Sequence, residues 1–444
     1  MLEGQTNIFE MLYPTYKITK KIRTIELFAG YGSTKLAWNY LGIDVESYKI
    51  CEWAVKSIQA YKDIHFTDDN TDYSKDLSIE EIKQYLFNKG ISSNYNEPMT
   101  QQQVNRLNEK QTRTIYNNIQ ATHNLVNIQQ VKGEDLEIVD TDKFTYLLTY
   151  SFPCQDLSLA GVRKGMSDTS TRSGMLWEVE RILQECKELG TLPQILLMEN
   201  VPQVHGADNV EDFNKWQLRL EELGYHNYFQ DLIATDYGIP QTRNRCFMVS
   251  ILGDYNYTFP KPIPLKLKLK DMLEDNVDEK YYLSDKMLEY CLGVNQKKSN
   301  FPRGERFLQS LNQANNKNLA TTITTSAGNR PTDNFIKVKN ATKKGYLEAT
   351  DGDGVDISSR MEYHRGTVQK DKVQTITTSG GNDRGVVEDL RIRKLSPREC
   401  WRLMGVKDED FDNVSKNQSD SSLYHLAGDS IVVNVLCYLY KQLI

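Results

Sequence analysis

The sequence predicts an α/β fold, a sheet with helices on both faces that also carries a smaller region of mixed β-structure and loop. Three observations predict it. Short apolar runs alternate with helical stretches over residues 21–258, the pattern of strands alternating with crossover helices. The first run ends in a glycine-bearing turn, Ala29-Gly30-Tyr31-Gly32, and a helical pattern follows at once. From about residue 259 the chain becomes rich in Asn, Thr, Gly and Lys, with only short strand-like runs.

Taken in order, Lys21 to Phe28 reads as a first strand. Leu36, Ala37, Tyr40 and Leu41 then give a helix, with Ser33 or Thr34 as its cap. Val45 to Cys51 is a second strand. Residues 66–130 interrupt the alternation with a polar helical insertion, including Ser78–Asn88 and Thr100–Asn118. Phe144–Ser151, Gln194–Met198 and Cys246–Ile251 are further buried strands, with helices at Gly174–Leu189 and Glu211–Leu223 between them. Pro260, Pro262 and Pro264 punctuate the start of the second region. That region repeats itself: Thr321–Asn329 matches Gln374–Asn382 at seven of nine positions, either as two similar strand-and-turn units or as two glycine loops that approach a nucleic acid closely. Ser396-Pro-Arg-Glu399 is a capping box with proline at the first helical position. Gly405 suits a helix stop, and Ser430–Ile444 reads as an apolar helix returning to the first domain. The expected organisation is a tail over 1–20, a catalytic domain over 21–258, a second domain over 259–392 and a C-terminal return over 393–444.

Composition narrows the function classes. At 444 residues and 39% hydrophobic, the chain is long for one compact core. No uninterrupted apolar run reaches the ~18 residues of a membrane-spanning helix. Met1 to Lys20 lacks a signal-peptide layout, so a cytoplasmic protein without a membrane partner is expected. Seven cysteines stand at 51, 154, 186, 246, 291, 400 and 437, none in a Cys-x-x-Cys pair, and no His-Glu-x-x-His occurs; neither a disulfide framework nor a metal site is expected. The net charge of −6 is not that of a purely electrostatic nucleic-acid binder. Residues 251–390, however, carry 21 Lys/Arg against 19 Asp/Glu, a net of +2 that leaves −8 for the rest of the chain.

Four groups of residues can carry chemistry. Gly30 and Gly32 allow a tight turn and close approach of a ligand to the backbone, and Glu52 is spaced to take ribose hydroxyls. Lys35 stands where a dinucleotide fingerprint needs its third glycine, which disfavours a nicotinamide cofactor. Ser151-Phe-Pro-Cys154-Gln155 follows a buried strand at the sheet edge where ligands bind. A basic, glycine-bearing segment with Arg163 and Lys164 follows it, which suits a nucleophile that works on a polyanion and is then covered. Glu199-Asn200-Val201 ends another strand, where an apolar setting raises a carboxyl pKa and makes it a proton donor. Arg243 and Arg245 alternate into a strand and point to one face, able to hold an acid or a carbonyl oxygen.

With these motifs in this order, the sequence resembles the cytosine-5 DNA methyltransferases of bacterial and phage type. Ile25–Gly32 is similar to the family's cofactor loop, Phe152–Gln155 to its catalytic motif and Glu199–Val201 to its acidic motif. Asp236–Arg245 is similar to its Gln-x-Arg-x-Arg motif, and Arg393–Gly405 and Gly428–Asn434 to its last two. The resemblance implies a Rossmann-like S-adenosylmethionine-dependent methyltransferase sheet with a smaller β/loop target-recognition domain. It implies that Cys154 attacks carbon 6 of a flipped-out cytosine, that Glu199 protonates or hydrogen-bonds ring nitrogen 3, and that Arg245, helped by Arg243, holds the base. The cofactor S-adenosylmethionine would lie against Phe28, Gly30, Gly32, Glu52, Trp53, Asn127, Ile128, Met175 and Asp429. Double-stranded DNA would meet Gln155, Ser158, Arg163, Lys164, Thr377, Gly380 and Gly381. A monomer is expected, acting beside a separate cognate restriction endonuclease or marking DNA alone. Glu26, Ser33, Asn127 and Asp429 differ from the family's usual Asp, Gly, Asp and Asn. An RNA cytosine methyltransferase of the same fold and a catalytically dead DNA-binding relative are the alternatives.

Overall fold

The structure, a computed structural model, describes residues 13–152, 175–282, 336–339, 346–350, 352–357, 367–378, 384–388 and 391–444. Its main sheet has six strands: β1 (Lys21–Leu27), β2 (Val45–Cys51), β3 (Phe144–Tyr150), β4 (Ile195–Asn200), β5 (Tyr225–Ile233) and β6 (Asn244–Leu252), in the order β2-β1-β3-β4-β6-β5. The β1–β2, β1–β3 and β3–β4 pairs are parallel, while β6 runs antiparallel to both β4 and β5. Strands covered on both faces should read as unbroken apolar runs. Accordingly every residue of Ile195–Asn200 is buried, and so is every residue of Phe144–Tyr150 after the first. The strand order reverses between β1 and β3, so their carboxyl ends open the crevice in which ligands of such sheets bind.

Helices α1 (Ser33–Tyr40) and α2 (Val55–His65) follow β1 and β2; α3 (Ile79–Lys89), α4 (Gln101–Asn105) and α5 (Glu109–Ala121) form the insertion; α6 (Leu176–Leu189) and α7 (Val210–Leu223) follow β3 and β4. Each insertion helix begins with a reciprocal capping box, at Ser78/Glu81, Thr100/Gln103 and Asn108/Gln111. The last of these breaks the single helix expected over Thr100–Asn118, because the Asn108 side chain accepts the Gln111 N–H and starts a new helix. The insertion has its own small core of Ile82, Leu86, Ile91, Val104, Ile115 and Ile119, which also takes in Ile58 of α2.

One face of the sheet is covered by α6 and α7, through Val179, Ile182, Leu183, Phe213 and Trp216. The other is covered by α1 and the C-terminal helices α8 (Pro397–Arg402), α9 (Asp408–Ser415), α10 (Asp420–Asp429) and α11 (Val433–Lys441). The Trp38 and Tyr440 rings stack 4.2 Å apart, joining α1 to α11. The helix expected over Ser430–Ile444 is shorter: Ser430 is extended, and α11 starts at Val433. Asp420–Lys441 has the length and apolarity of a membrane span, but 67% of its most apolar window is buried in this core.

In the second region, β9 (Gly354–Asp356), β10 (Val368–Gln369), β11 (Arg384–Glu388) and β12 (Arg391–Lys394) make an antiparallel sheet of order β10-β9-β11-β12, and β7 (Ile336–Lys339) pairs with β8 (Tyr346–Ala349). A buried ion pair ties this sheet to the helices. Arg393 of β12 and Glu399 of α8 make two bonds of 2.8 Å with both side chains fully buried. Glu399 also accepts the backbone N–H of Glu274 and of Ser396.

Candidate functional site

Beyond the carboxyl ends of β1 and β2 lies a cleft of about 1030 Å³, lined by Phe28, Gly30, Cys51, Glu52, Trp53, Val126, Asn127, Ile128, Ser151, Met175 and Asp429 among others. The turn after β1 opens it. Phe28 and Gly30 both take positive φ, 58° and 55°, which brings the chain round to let Gly30 donate its N–H to Glu52 Oε2 at 2.9 Å. Ala54 N–H donates to Oε1 at 2.7 Å. Asn124 clamps the Glu52 backbone, donating to its carbonyl and accepting its N–H. The Glu52 carboxyl is thus held rigidly at the crevice. Burial pushes its pKa up to about 7, against the pull of the Ala54 and Gly30 N–H groups.

A smaller space of about 350 Å³ adjoins at the carboxyl ends of β1 and β3, bounded by Glu26, Ser33, Thr34, Thr149, Ser151, Asp429 and others. Glu26 accepts the Tyr61 hydroxyl at 2.7 Å, and burial likewise pushes its carboxyl up to about 7.

The walls of the larger cleft fit a nucleoside that carries positive charge. Trp53, Phe28, Ile128 and Met175 offer flat and aliphatic surface for a base, and Glu52 keeps lone pairs for a diol. Among the described residues the lining carries two acids, Glu52 and Asp429, and no Lys or Arg. A pyrophosphate would be repelled there, whereas the sulfonium and ammonium of S-adenosylmethionine would be attracted. All the residues expected at the cofactor line this cleft except Gly32. That glycine takes φ 82° as the residue before α1, and a Cβ on it would run into Tyr61 and His65. Its lack of a side chain serves the packing of α1 on α2.

Glu199 and Arg245 meet at the ends of β4 and β6, with Arg245 Nε 3.1 Å from Glu199 Oε1. Glu199 is 7% exposed, and burial raises its carboxyl pKa against the lowering effect of Arg245 and Arg243. Next to it, Asn200 donates a 3.0 Å hydrogen bond to the carbonyl of Phe152. This pins the strand end that leads into Cys154 against the acidic motif.

Arg243 has a different setting from the one expected. It lies one residue before β6, and its guanidinium donates to the carbonyls of Ile376, Gly428 and Ser430. Gln241 works beside it, donating to the Leu403 carbonyl and accepting the Ile376 N–H at 2.9 Å. Thr242 and Val373 complete the seam through backbone bonds. Arg243 therefore anchors the second Thr-Ile-Thr segment and the end of α10, while Arg245 alone of the pair touches Glu199. Thr377 backbone packs on Gly428, where a Cβ would collide with it.

Cys154, Gln155, Ser158, Arg163, Lys164, Gly380 and Gly381 lie outside the described residues. So do Cys291 and the first repeat, Thr321–Asn329. Among the described cysteines, burial pushes the thiols of Cys51, Cys186, Cys246 and Cys437 up, which suppresses the reactive thiolate. Seven residues of the cleft were not expected at the cofactor from the sequence: Cys51, Tyr95, Asn96, Val126, Gln129, Ser151 and His425. Cys51, Val126, Gln129 and Ser151 adjoin or belong to motifs that could have signalled them, whereas Tyr95, Asn96 and His425 had no such motif.

A family model described as C-5 cytosine-specific DNA methylase matches residues 89–444. The type II methyltransferase M2.ScrFI of Lactococcus lactis subsp. cremoris is 32% identical over 435 residues, 95% of this chain and 99% of the relative. The orphan methyltransferase M.SssI of Spiroplasma monobiae is 32% identical over 426 residues, 94% of this chain and 96% of the relative. Among solved structures, the methyltransferase EhMeth of Entamoeba histolytica superposes with a TM-score of 0.54 at 13% identity, over 96% of this chain and 98% of that one. That last likeness is one of fold.

Proposed function

Since the chain belongs to the C-5 cytosine-specific DNA methylase family and is a DNA (cytosine-5-)-methyltransferase, we propose how its own residues divide the reaction. Cys154 is the nucleophile. Its thiolate adds to carbon 6 of a cytosine flipped out of double-stranded DNA, and Glu199 supplies a proton or hydrogen bond to ring nitrogen 3. The ring then carries electron density at carbon 5, which takes the methyl group. Loss of the carbon 5 proton and departure of Cys154 restore the aromatic ring. Poor methyl acceptors such as cytosine need this addition first, and the base must leave the stack to reach it. Arg245 holds Glu199 and the base, and Arg243 positions the recognition segment.

S-adenosylmethionine, bound in the cleft, supplies the methyl group. Glu52 would hold its ribose, Trp53, Asn127 and Ile128 its adenine, and Asp429 its methionine end. Gln155, Ser158, Arg163, Lys164, Thr377, Gly380 and Gly381 would face the DNA. The protein would act as a monomer, with any cognate endonuclease a separate chain.

The Asn200–Phe152 hydrogen bond carries this reading most directly, because it ties the Glu199–Arg245 pair to the backbone two residues before Cys154. The test is bisulfite sequencing of plasmid DNA from cells expressing the protein, beside a Cys154→Ala control. Methylcytosine at one recurring short motif, absent from the control, is the expected result. Methylation that persists in the control would remove Cys154 from its role.

A further inference from the structure

The helices α3, α4 and α5 and the loops that join them have no part in the reaction as set out above, yet one of those loops reaches the cofactor cleft. Tyr95 and Asn96, from the loop between α3 and α4, line it together with His425 of α10. The Tyr95 and His425 rings lie 3.9 Å apart at 36°. They come from opposite ends of the chain and meet across one side of the opening.

The loop is built to hold Tyr95 there. Ser92 N–H donates to the Trp53 carbonyl and Val55 N–H to the Ser92 carbonyl, so the loop pairs with the backbone next to Glu52. Asn94 Oδ1 accepts the N–H groups of Asn96 and Glu97, at 2.9 and 3.2 Å, and Ser92 Oγ donates to the Glu97 carbonyl. Tyr95 itself sits at φ 64°, a left-handed backbone that costs a non-glycine residue and persists only where its surroundings enforce it. Its hydroxyl is buried.

We propose that Tyr95, backed by His425, is a cofactor-binding residue, and that the insertion is thereby a working wall of the cofactor cleft. This rests on the cofactor reading above. An aromatic face suits both the flat adenine and the cationic sulfonium, and the carboxylates of Glu52 and Asp429 stand in the same lining.

The test is calorimetric titration of the full-length protein with S-adenosylmethionine and with S-adenosylhomocysteine, its neutral thioether product. Tyr95→Ala should weaken S-adenosylmethionine binding by about 10-fold or more, the scale of a lost desolvated aromatic contact. Tyr95→Phe should stay within about 3-fold of the parent, since it keeps the ring face. His425→Ala, which removes the backing ring without touching the strained loop, should weaken binding in the same direction; it keeps the idea testable if Tyr95→Ala does not fold. Glu52→Ala is the reference variant. If it loses binding while folded Tyr95→Ala or His425→Ala binds like the parent, the Tyr95 assignment is overturned and the cleft stands. If Glu52→Ala also binds like the parent, the cofactor reading itself fails.

Discussion

Replacing Arg393 by Met should destabilise the protein by about 3–4 kcal/mol. The substitution keeps an unbranched apolar stem and deletes a guanidinium that makes two 2.8 Å bonds to Glu399 with both side chains fully buried. Removing one partner of such a pair costs roughly 3–5 kcal/mol, because a buried charge is left uncompensated. The lower part of that range applies here, since Glu399 retains the N–H groups of Glu274 and Ser396. Equilibrium urea unfolding followed by tryptophan fluorescence reads the loss, with the buried Trp401 on α8 as a local reporter. Paired with Glu399→Gln in a double-mutant cycle, the change should show a coupling of about 2–3 kcal/mol. A single-variant loss below about 1 kcal/mol, or strictly additive costs, would refute the view that this pair joins the small sheet to the helical layer.

Other substitutions probe the site. Glu199→Ala should lower kcat by about 10²–10⁴-fold, the usual weight of a positioned proton donor, in single-turnover methylation; a loss of less than 10-fold would mean another group serves ring nitrogen 3. Glu52 and Glu26 both have folded pKa values raised to about 7 from about 4.5. Their protonated forms thus contribute stability that is complete below about pH 4.5 and lost as the pH rises through about 7. The thermal midpoint of the free protein should fall across that window, and S-adenosylhomocysteine should bind more tightly as Glu52 ionises; Glu52→Gln should flatten the binding profile, and an unchanged profile would reassign it. Gly32→Ala should cost more than about 1 kcal/mol, because φ 82° and the Tyr61 and His65 rings both oppose a Cβ; a neutral result in thermal unfolding would show that the turn relaxes freely.

Much of the sheet was legible because its strands are buried on both faces. Val45–Cys51 reads as the observed strand residue for residue. Strand β5 was missed: it lies at the sheet edge, and its middle is half-exposed or exposed, with His226, Asn227, Gln230 and Asp231 erasing the apolar signal. Of the residues that line the cleft, Phe28, Gly30, Glu52 and Trp53 were legible because they follow strand ends beside recognisable motifs. Tyr95 and His425 were not, since each belongs to an element whose periodicity says nothing about the cleft it reaches. Arg243 and Arg245 both act on the Glu199 carboxyl, but the further tie of Arg243 to the carbonyls of Ile376, Gly428 and Ser430 was not legible. Arg243 precedes the first residue of β6, so strand alternation does not govern where it points, and backbone carbonyls from remote segments claim it.

The Trp38–Tyr440 stack has a consequence for the birth of the protein. Tyr440 also donates its hydroxyl to Thr34, 406 positions earlier. At a synthesis rate of about 5–20 residues per second, α1 emerges from the ribosome on the order of 20–80 s before α11 exists to cover it. Throughout that interval Trp38 lacks the Tyr440 ring that stacks on it in the finished fold. The long-range stack thus makes this part of the core one of the last to close, and a chain that ended before Val433 would leave Trp38 without the ring that stacks on it.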